Sequence, residues 1–131
     1  MSQENVEVVR RGIEAFNRRD LKTWLTTFRS DAEIDWSRSR GPLKGVYRGH
    51  SELEVFWNGW LTFDWGELET YDLAEAGSEV VVPNTAHMRG RDGIEVEAKS
   101  AFVFTVEGKL TTRLEMFQKE AEAVEAAGLS E

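Results

Sequence analysis

Apolar residues spaced three and four apart predict three helices in the first half of the chain. Asp20 is a suitable N-cap for the second of them, and Ser51 and Glu54 have the spacing of a capping box that begins the third. The apolar faces of the three helices are formed in turn by Val6, Val9, Ile13 and Phe16, by Leu21, Trp24, Leu25 and Phe28, and by Leu53, Phe56, Trp57 and Trp60.

After Leu61 the pattern changes to the alternation that is typical of strands. Turn residues at 75–78, at 91–93 and at 107–109 divide this region into hairpins, and a short helix is predicted over 119–127. Helices followed by antiparallel strands predict an α+β fold, in which the helices pack on a curved antiparallel sheet and enclose a pocket. At 131 residues the chain is expected to form a single domain over 1–131. Alternation places each of two sets on one face of its strand: Ile94, Val96, Ala98, Ser100, Phe102, Phe104 and Val106 on the last strand but one, and Leu110, Thr112, Leu114 and Met116 on the last strand.

The opposite face of the strand that begins at Ile94 changes in character along its length. It is charged at Glu95, Glu97 and Lys99 and becomes apolar at Ala101 and Val103. An apolar patch on the outer face of a sheet indicates contact with something beyond the monomer. With Phe117 on the same face, the pattern predicts a homodimer formed by sheet packing.

Charge and composition exclude several classes of partner. The chain has 24 Asp and Glu residues against 16 Lys and Arg residues, a formal net charge of -8. Such a surface repels phosphate backbones and anionic membranes, so we expect neither nucleic-acid nor membrane partners. The absence of cysteine removes disulfides, thiolate metal sites and cysteine nucleophiles. The acidic start and the lack of a long apolar run favour a cytoplasmic location.

Four segments resemble a known family. They are ENVEVVRR at 4–11, AFNRRDL at 15–21, GVYRGH at 45–50 and AEAVEAAGL at 121–129. Together they resemble the SnoaL-like branch of the nuclear-transport-factor-2-like superfamily, which also contains the ketosteroid isomerases. The resemblance implies a cone-shaped fold and, commonly, a homodimer through the outer face of the sheet. It implies no single reaction, because this scaffold carries enzymes as well as non-catalytic binding proteins.

The resemblance also locates the positions at which ketosteroid isomerases carry their catalytic groups. Those enzymes remove a proton beside a carbonyl with a pocket carboxylate and stabilise the enolate with buried donors. In this sequence Trp36 stands at the position of the base, Phe102 at that of the acidic donor, and Gly12 near that of the tyrosine. Asp35 precedes Trp36 and therefore points to the opposite face of the strand. The matches predict that isomerase chemistry of this type is absent.

The remaining candidates for catalysis are His87 and Asp35. Histidine titrates near neutral pH and is the obvious general base or acid, although a lone strand histidine is more often a hydrogen-bonded or surface residue. Neither His87 nor His50 has carboxylates at ligand spacing, so we expect no metal site and no cofactor. Arg113 and Glu115 alternate with apolar neighbours and are expected to form an ion pair on the dimer face or the surface.

The evidence for a pocket is stronger than the evidence for catalysis. Aromatic and large apolar residues gathered under one sheet would suit a flat, largely apolar small molecule. The segment 37–50 is basic and contains no acidic residue, so it is either a positively charged lid that attracts anionic ligands or a solvated loop. The candidate ligand-binding residues are Trp36, Tyr47, Phe56, Trp60, Phe102, Phe104, Leu114 and Met116.

Two functions remain open on this evidence. One is a SnoaL-like enzyme that performs proton-transfer chemistry, such as a cyclisation or isomerisation, on an apolar or aromatic substrate with His87 or Asp35 as the base. The other is a non-catalytic protein that binds an apolar metabolite. Both predict a small-molecule ligand.

Overall fold

The computed structural model describes residues 2–39, 43–60, 65–90 and 93–128. Within these ranges the helices are α1 (Ser2–Asn17), α2 (Leu21–Thr26), α3 (Gly49–Trp60) and α4 (Glu120–Ala126). The strands are β1 (Phe28–Asp35), β2 (Val46–Arg48), β3 (Trp65–Thr70), β4 (Ala74–Ala76), β5 (Glu79–Arg89), β6 (Glu95–Glu107) and β7 (Leu110–Phe117). The predicted α+β class is confirmed. None of the helices in these ranges is long and apolar enough to cross a membrane.

The strands form one curved sheet in the order β2-β1-β7-β6-β5-β3, and β4 pairs with β5 beyond the end of β3. Neighbouring strands run antiparallel except β1 and β7, which pair in parallel. The parallel pair departs from the antiparallel sheet expected from the sequence. Because β1 and β7 are distant in the sequence, no turn signal reveals that they are neighbours.

The helices α1, α2 and α3 pack against the inner face of this sheet. Trp24 is central to the contact, since its ring centroid lies 4.9 Å from that of Phe28 and 5.1 Å from that of Trp57. The apolar helix faces are therefore buried as predicted, with Val6, Phe16, Leu21 and Leu25 partly buried at their edges. Further buried residues of this core include Val9, Ile13, Leu53, Phe56, Trp60, Ile34, Val80, Val82, Phe102, Phe104, Leu114 and Met116.

The helix boundaries agree with the sequence in α2 and differ in α3. The carboxylate of Asp20 accepts the N–H of Thr23 at 3.1 Å, which confirms the predicted cap. Phe28, in contrast, begins β1 and is not part of α2. The capping box predicted for Ser51 and Glu54 is wrong, because α3 already begins at Gly49.

The start of α3 depends on a different pair of residues. Gly49 has a φ of +80°, which glycine adopts without strain, and this lets β2 turn directly into the helix. The carboxylate of Glu52 accepts the backbone N–H of Arg48 at 2.7 Å and satisfies a free donor at the helix start.

The pocket-facing side of β7 also differs from the prediction. The pairing of β6 with β7 is irregular between Thr105 and Val106, so the simple alternation along β7 is interrupted. As a result Thr111 is buried, whereas Leu110 and Thr112 are only half-buried. Residues 61–64, where the strand alternation was predicted to begin, and the turn residues at 91 and 92 lie outside the described residues.

A second apolar cluster lies on the outer face of the sheet. It is formed where α4 covers the apolar end of β6, and its members are Val81, Ala101, Val103, Phe117, Ala123 and Ala127. The apolar outer patch that suggested a partner is thus covered by the chain's own last helix. The alternation of one strand shows that a patch must be covered but not by which element, and homodimer formation stays a prediction.

We expect Ala123→Asp to destabilise the protein by about 2 kcal/mol or more, because Ala123 has 0% exposure and a carboxylate there would lack a partner. Ala121→Asp is the matched control, since the same substitution falls on an exposed position of the same helix. Thermal unfolding followed by circular dichroism measures both. Equal melting temperatures for the two variants would contradict the packing of α4 on the sheet.

Candidate functional site

The closed end of the cone, between the inner face of the sheet and the helices, is nearly filled by aromatic side chains. The space that remains, the closed cavity, is about 30 Å³ and holds little more than a water molecule. Trp36 lines this space, and its ring centroid lies 4.9 Å from that of Phe56 and 5.2 Å from that of Phe102. A ligand therefore cannot enter this end without displacing core side chains.

A larger space, the mouth cleft, opens beside the closed cavity. Its volume is about 240 Å³, slightly below the usual range for drug-sized ligands, so it suits a molecule of about one or two rings. The strands β5 and β6, the end of α3 and the segment after β1 provide its walls. Its lining residues are Trp36, Ser39, Leu43, Trp60, Leu68, Ala86, Met88, Ala98, Lys99, Ser100, Phe102, Met116 and Gln118.

Seven of the eight candidate ligand-binding residues lie at one or both of these spaces. Those at both are Trp36, Trp60 and Phe102; those at the closed cavity alone are Phe56, Phe104 and Leu114; and Met116 is at the mouth cleft alone. Tyr47 lines neither space. Its ring packs 5.2 Å from that of Phe56, and its hydroxyl donates to the carbonyl of Leu43 at 2.8 Å.

The three positions compared with ketosteroid isomerases come together in the structure. Gly12, Trp36 and Phe102 all line the closed cavity, and none of them carries a titratable group. Among the described residues that line the two spaces, Lys99 is the sole titratable side chain. These walls therefore offer no carboxylate or imidazole within reach of a bound ligand.

Asp35 lies on the outer face of β1, as expected from its alternation with Trp36. The hydroxyl and the N–H of Ser37 donate to its carboxylate at 2.6 and 3.0 Å, and Arg113 lies 3.3 Å away. Burial raises the pKa of Asp35, but the Ser37 hydrogen bonds and the charges of Arg38 and Arg113 outweigh burial and hold that pKa below 3.8. The carboxylate is thus an ionised structural group, and the structure does not bring this candidate base to the cavity.

Two basic residues of the segment 37–50, Arg38 and Arg48, are paired on the same outer face. Arg38 contacts Glu115 at 3.1 Å, and Arg48 contacts Glu33 at 3.1 Å. Arg113 and Glu115 form the predicted ion pair at 3.5 Å. Arg40 lies outside the described residues. The charges of Arg38 and Arg48 are therefore compensated, and they add little to a positive field at the mouth cleft.

Sequence reasoning missed the contact that shapes one wall of the mouth cleft. Leu43 packs so closely on α3 that a Cβ added to Gly59 would lie 2.2 Å from its Cδ2 atom. Glycine inside a helix costs about 1 kcal/mol relative to alanine, so a glycine in the predicted third helix was the available signal. Gly59 is thus the residue that lets Leu43 form this wall.

His87 also lies on the outer face, since its neighbours Ala86 and Met88 line the mouth cleft. Its Nε2 atom is 2.9 Å from Glu69 and its Nδ1 atom 3.2 Å from Glu97. The hydrogen bond to Glu69, together with the charge of Glu97, outweighs desolvation and raises the pKa of His87 above 6.5. His87 is therefore a surface ion-pair residue away from the cleft. In the described ranges no three His, Asp or Glu side chains are grouped to hold a metal ion.

The raised pKa of His87 predicts a pH-dependent contribution to stability. A group whose pKa is higher in the folded state stabilises below its unfolded pKa, here about 6.5, and loses that contribution as the pH rises through the folded pKa. We expect wild type to melt above His87→Gln at pH 6 and the difference to shrink by pH 9. The charge of Glu67 also raises this pKa, so in a background with Glu67→Gln, Glu69→Gln and Glu97→Gln the pH-dependent stabilisation should disappear. A difference that grows with pH would contradict this assignment.

Comparison with known proteins finds solved structures with the same overall architecture. An NTF2-like protein of unknown function from Burkholderia pseudomallei is 28% identical, with a TM-score of 0.79 over 95% of this chain and 97% of that chain. TerC, co-crystallised with polyporic acid, is 20% identical, with a TM-score of 0.79 over 95% and 98%. Rv0760c from Mycobacterium tuberculosis, in complex with estradiol-17β-hemisuccinate, is 13% identical, with a TM-score of 0.79 over 91% and 95%.

The structural similarity to TerC and to Rv0760c shows the fold alone. No curated protein is significantly similar in sequence. The model of the SnoaL-like domain family matches residues 9–114, which is most of the chain. The protein therefore belongs to the SnoaL-like domain family and has the nuclear-transport-factor-2-like fold.

Proposed function

We propose that this single domain binds a small, neutral, largely apolar molecule with an aromatic ring in the mouth cleft, and that it does so without catalysing a reaction. The observation that carries the proposal is the composition of the walls. Trp36, Trp60 and Phe102 supply aromatic surface, while the described lining contains no carboxylate or imidazole. A general base must reach its proton directly or through one water molecule.

The enzyme alternative is disfavoured by the position of its candidate bases. His87 and Asp35 both lie on the outer face of the sheet, each held by charged neighbours, whereas a bound ligand would lie on the inner face. The likeness to TerC and Rv0760c supports a ligand-binding role by analogy, since both of those proteins were crystallised with an organic molecule. Neither likeness specifies the ligand of this chain.

The size of the mouth cleft sets the expected affinity. A ligand of about ten non-hydrogen atoms at about 0.5 kcal/mol per atom gains roughly 5 kcal/mol, equivalent to a Kd near 0.2 mM. Part of this gain comes from ring contacts with Trp36 and Phe102, which contribute about 0.5–1.5 kcal/mol per aromatic pair. Naphthalene is a suitable first probe because it has this size and no polar group.

We expect Ala98→Phe to weaken naphthalene binding at least tenfold, because Ala98 lines the mouth cleft at an exposed position and a ring there would occupy ligand space. Ala74→Phe is the matched control: Ala74 is also exposed on a strand but does not line the cleft. Binding is measured from the shift of the Trp36 indole N–H resonance. Equal affinity in both variants would place the ligand elsewhere, and no shift in wild type would contradict the proposal.

We also propose that the protein forms a homodimer through the part of the outer face that α4 leaves uncovered. Exposed charges of both signs occur there, with Arg89 beside Glu95 and Glu97. A two-fold arrangement can place such groups against their opposites. Sedimentation equilibrium at micromolar concentration should give twice the chain mass, and a mass near 14.9 kDa would rule the dimer out.

A further inference from the structure

One pair of polar residues interrupts the apolar inner face of the sheet. Asn84 on β5 lies directly opposite Ser100 on β6. The neighbouring inner-face positions are apolar on both strands, and Asn84 is only 2% exposed. Val82, two residues before Asn84 on the same strand, also faces inward and is buried, so a β-branched apolar residue fits on this face. A buried amide costs free energy unless its hydrogen bonds are made, so packing alone does not account for this pair.

The hydrogen bonds of this pair have a fixed direction. The Nδ2 group of Asn84 donates to the carbonyl of Val82 at 3.0 Å, which fixes the orientation of the amide because the reverse orientation would place two acceptors together. The Oδ1 atom therefore faces Ser100 and can only accept. The hydroxyl of Ser100 donates to it at 3.2 Å, so its single proton is already used.

Ser100 also lines the mouth cleft. Since its proton is held by Asn84, its Oγ atom presents lone pairs to a ligand and can act there only as an acceptor. Lys99 and Gln118, which also line the cleft, are exposed to solvent, where a hydrogen bond competes with water. The Ser100 acceptor lies among Phe102, Ala86 and Trp36, where fewer waters compete for it. It therefore distinguishes more strongly between ligands with and without a hydrogen-bond donor.

We infer that Ser100, oriented by Asn84, selects ligands that carry a hydrogen-bond donor on an aromatic framework, namely a phenolic hydroxyl or a ring N–H. This inference rests on the proposed function and adds the chemical class of the ligand. A donor that reaches Ser100 completes the polar chain from Val82 through Asn84 to the ligand. A matched ether or N-methyl compound places an acceptor or a methyl group against the Oγ atom and loses that bond.

Two matched pairs of compounds test the inference, 2-naphthol against 2-methoxynaphthalene and indole against 1-methylindole. Dissociation constants at pH 7 are obtained from the Trp36 indole resonance. Because one neutral hydrogen bond contributes about 1 kcal/mol, wild type should prefer the donor of each pair about fivefold. Equal or tighter binding of the blocked compounds would overturn the inference while leaving the proposed function intact. Failure of all four compounds to bind would overturn the proposed function and the inference together.

The double variant Asn84→Val with Ser100→Ala tests whether the preference for donor compounds depends on this pair of residues. Replacing both polar side chains removes the donor and the acceptor of the Asn84–Ser100 bond together, and only the main-chain carbonyl of Val82 loses a side-chain donor, so the fold should persist. The preference should fall below twofold while the blocked compounds bind as before. Ser100→Cys is a near-isosteric second variant whose sulfur is a weak acceptor, and it should reduce the preference in the same way. Ser78→Ala, an exposed turn position, is the control. A donor preference that survives both substitutions at position 100 would overturn the assignment.

Discussion

The contact on which the rest of the site depends is the packing of Trp36 between the sheet and α3. Its indole meets Phe56 of the helix and Phe102 of the sheet at centroid distances near 5 Å. These contacts fill the closed end of the cone, where ketosteroid isomerases, by the resemblance, keep their base and donor. Ligand space is consequently displaced to the mouth, where β5, β6 and the segment after β1 meet. The same rings that stabilise the core thus determine where the larger inner space lies.

The outer face of the sheet collects the charges that the inner face excludes. Asp35 and His87 are each one residue away from inner-face positions, and the period-two geometry of a strand places both on the outer side. There Asp35 joins an ionic network with Arg38, Arg113 and Glu115, and His87 lies between two glutamates. A sheet with one apolar and one charged face thus separates Asp35 and His87 from the two inner spaces.

The mouth cleft depends on small details at its edges. Gly59 allows Leu43 to pack against α3, and a single added carbon would collide with that side chain. Asn84 and Ser100 introduce one directed polar group into apolar walls. Arg38 anchors the segment that carries Ser39, since its guanidinium lies 4.3 Å above the ring of Phe117 and its carbonyl accepts from Gln118 at 2.6 Å. Each detail joins residues that are far apart in the chain.

The sequence by itself determined the α+β class, the apolar helix faces, the Asp20 cap and seven aromatic or apolar residues around the two inner spaces. These features follow from local periodicity and turn chemistry, which short segments encode. Only the tertiary structure decided the parallel pairing of β1 with β7, the covering of Val103 by α4, and the proton direction at Ser100. These depend on which distant segments become neighbours, because a strand's alternation specifies two faces but not what packs on each. The fold class could therefore be predicted from local sequence patterns, whereas the chemistry of the site depends on long-range contacts.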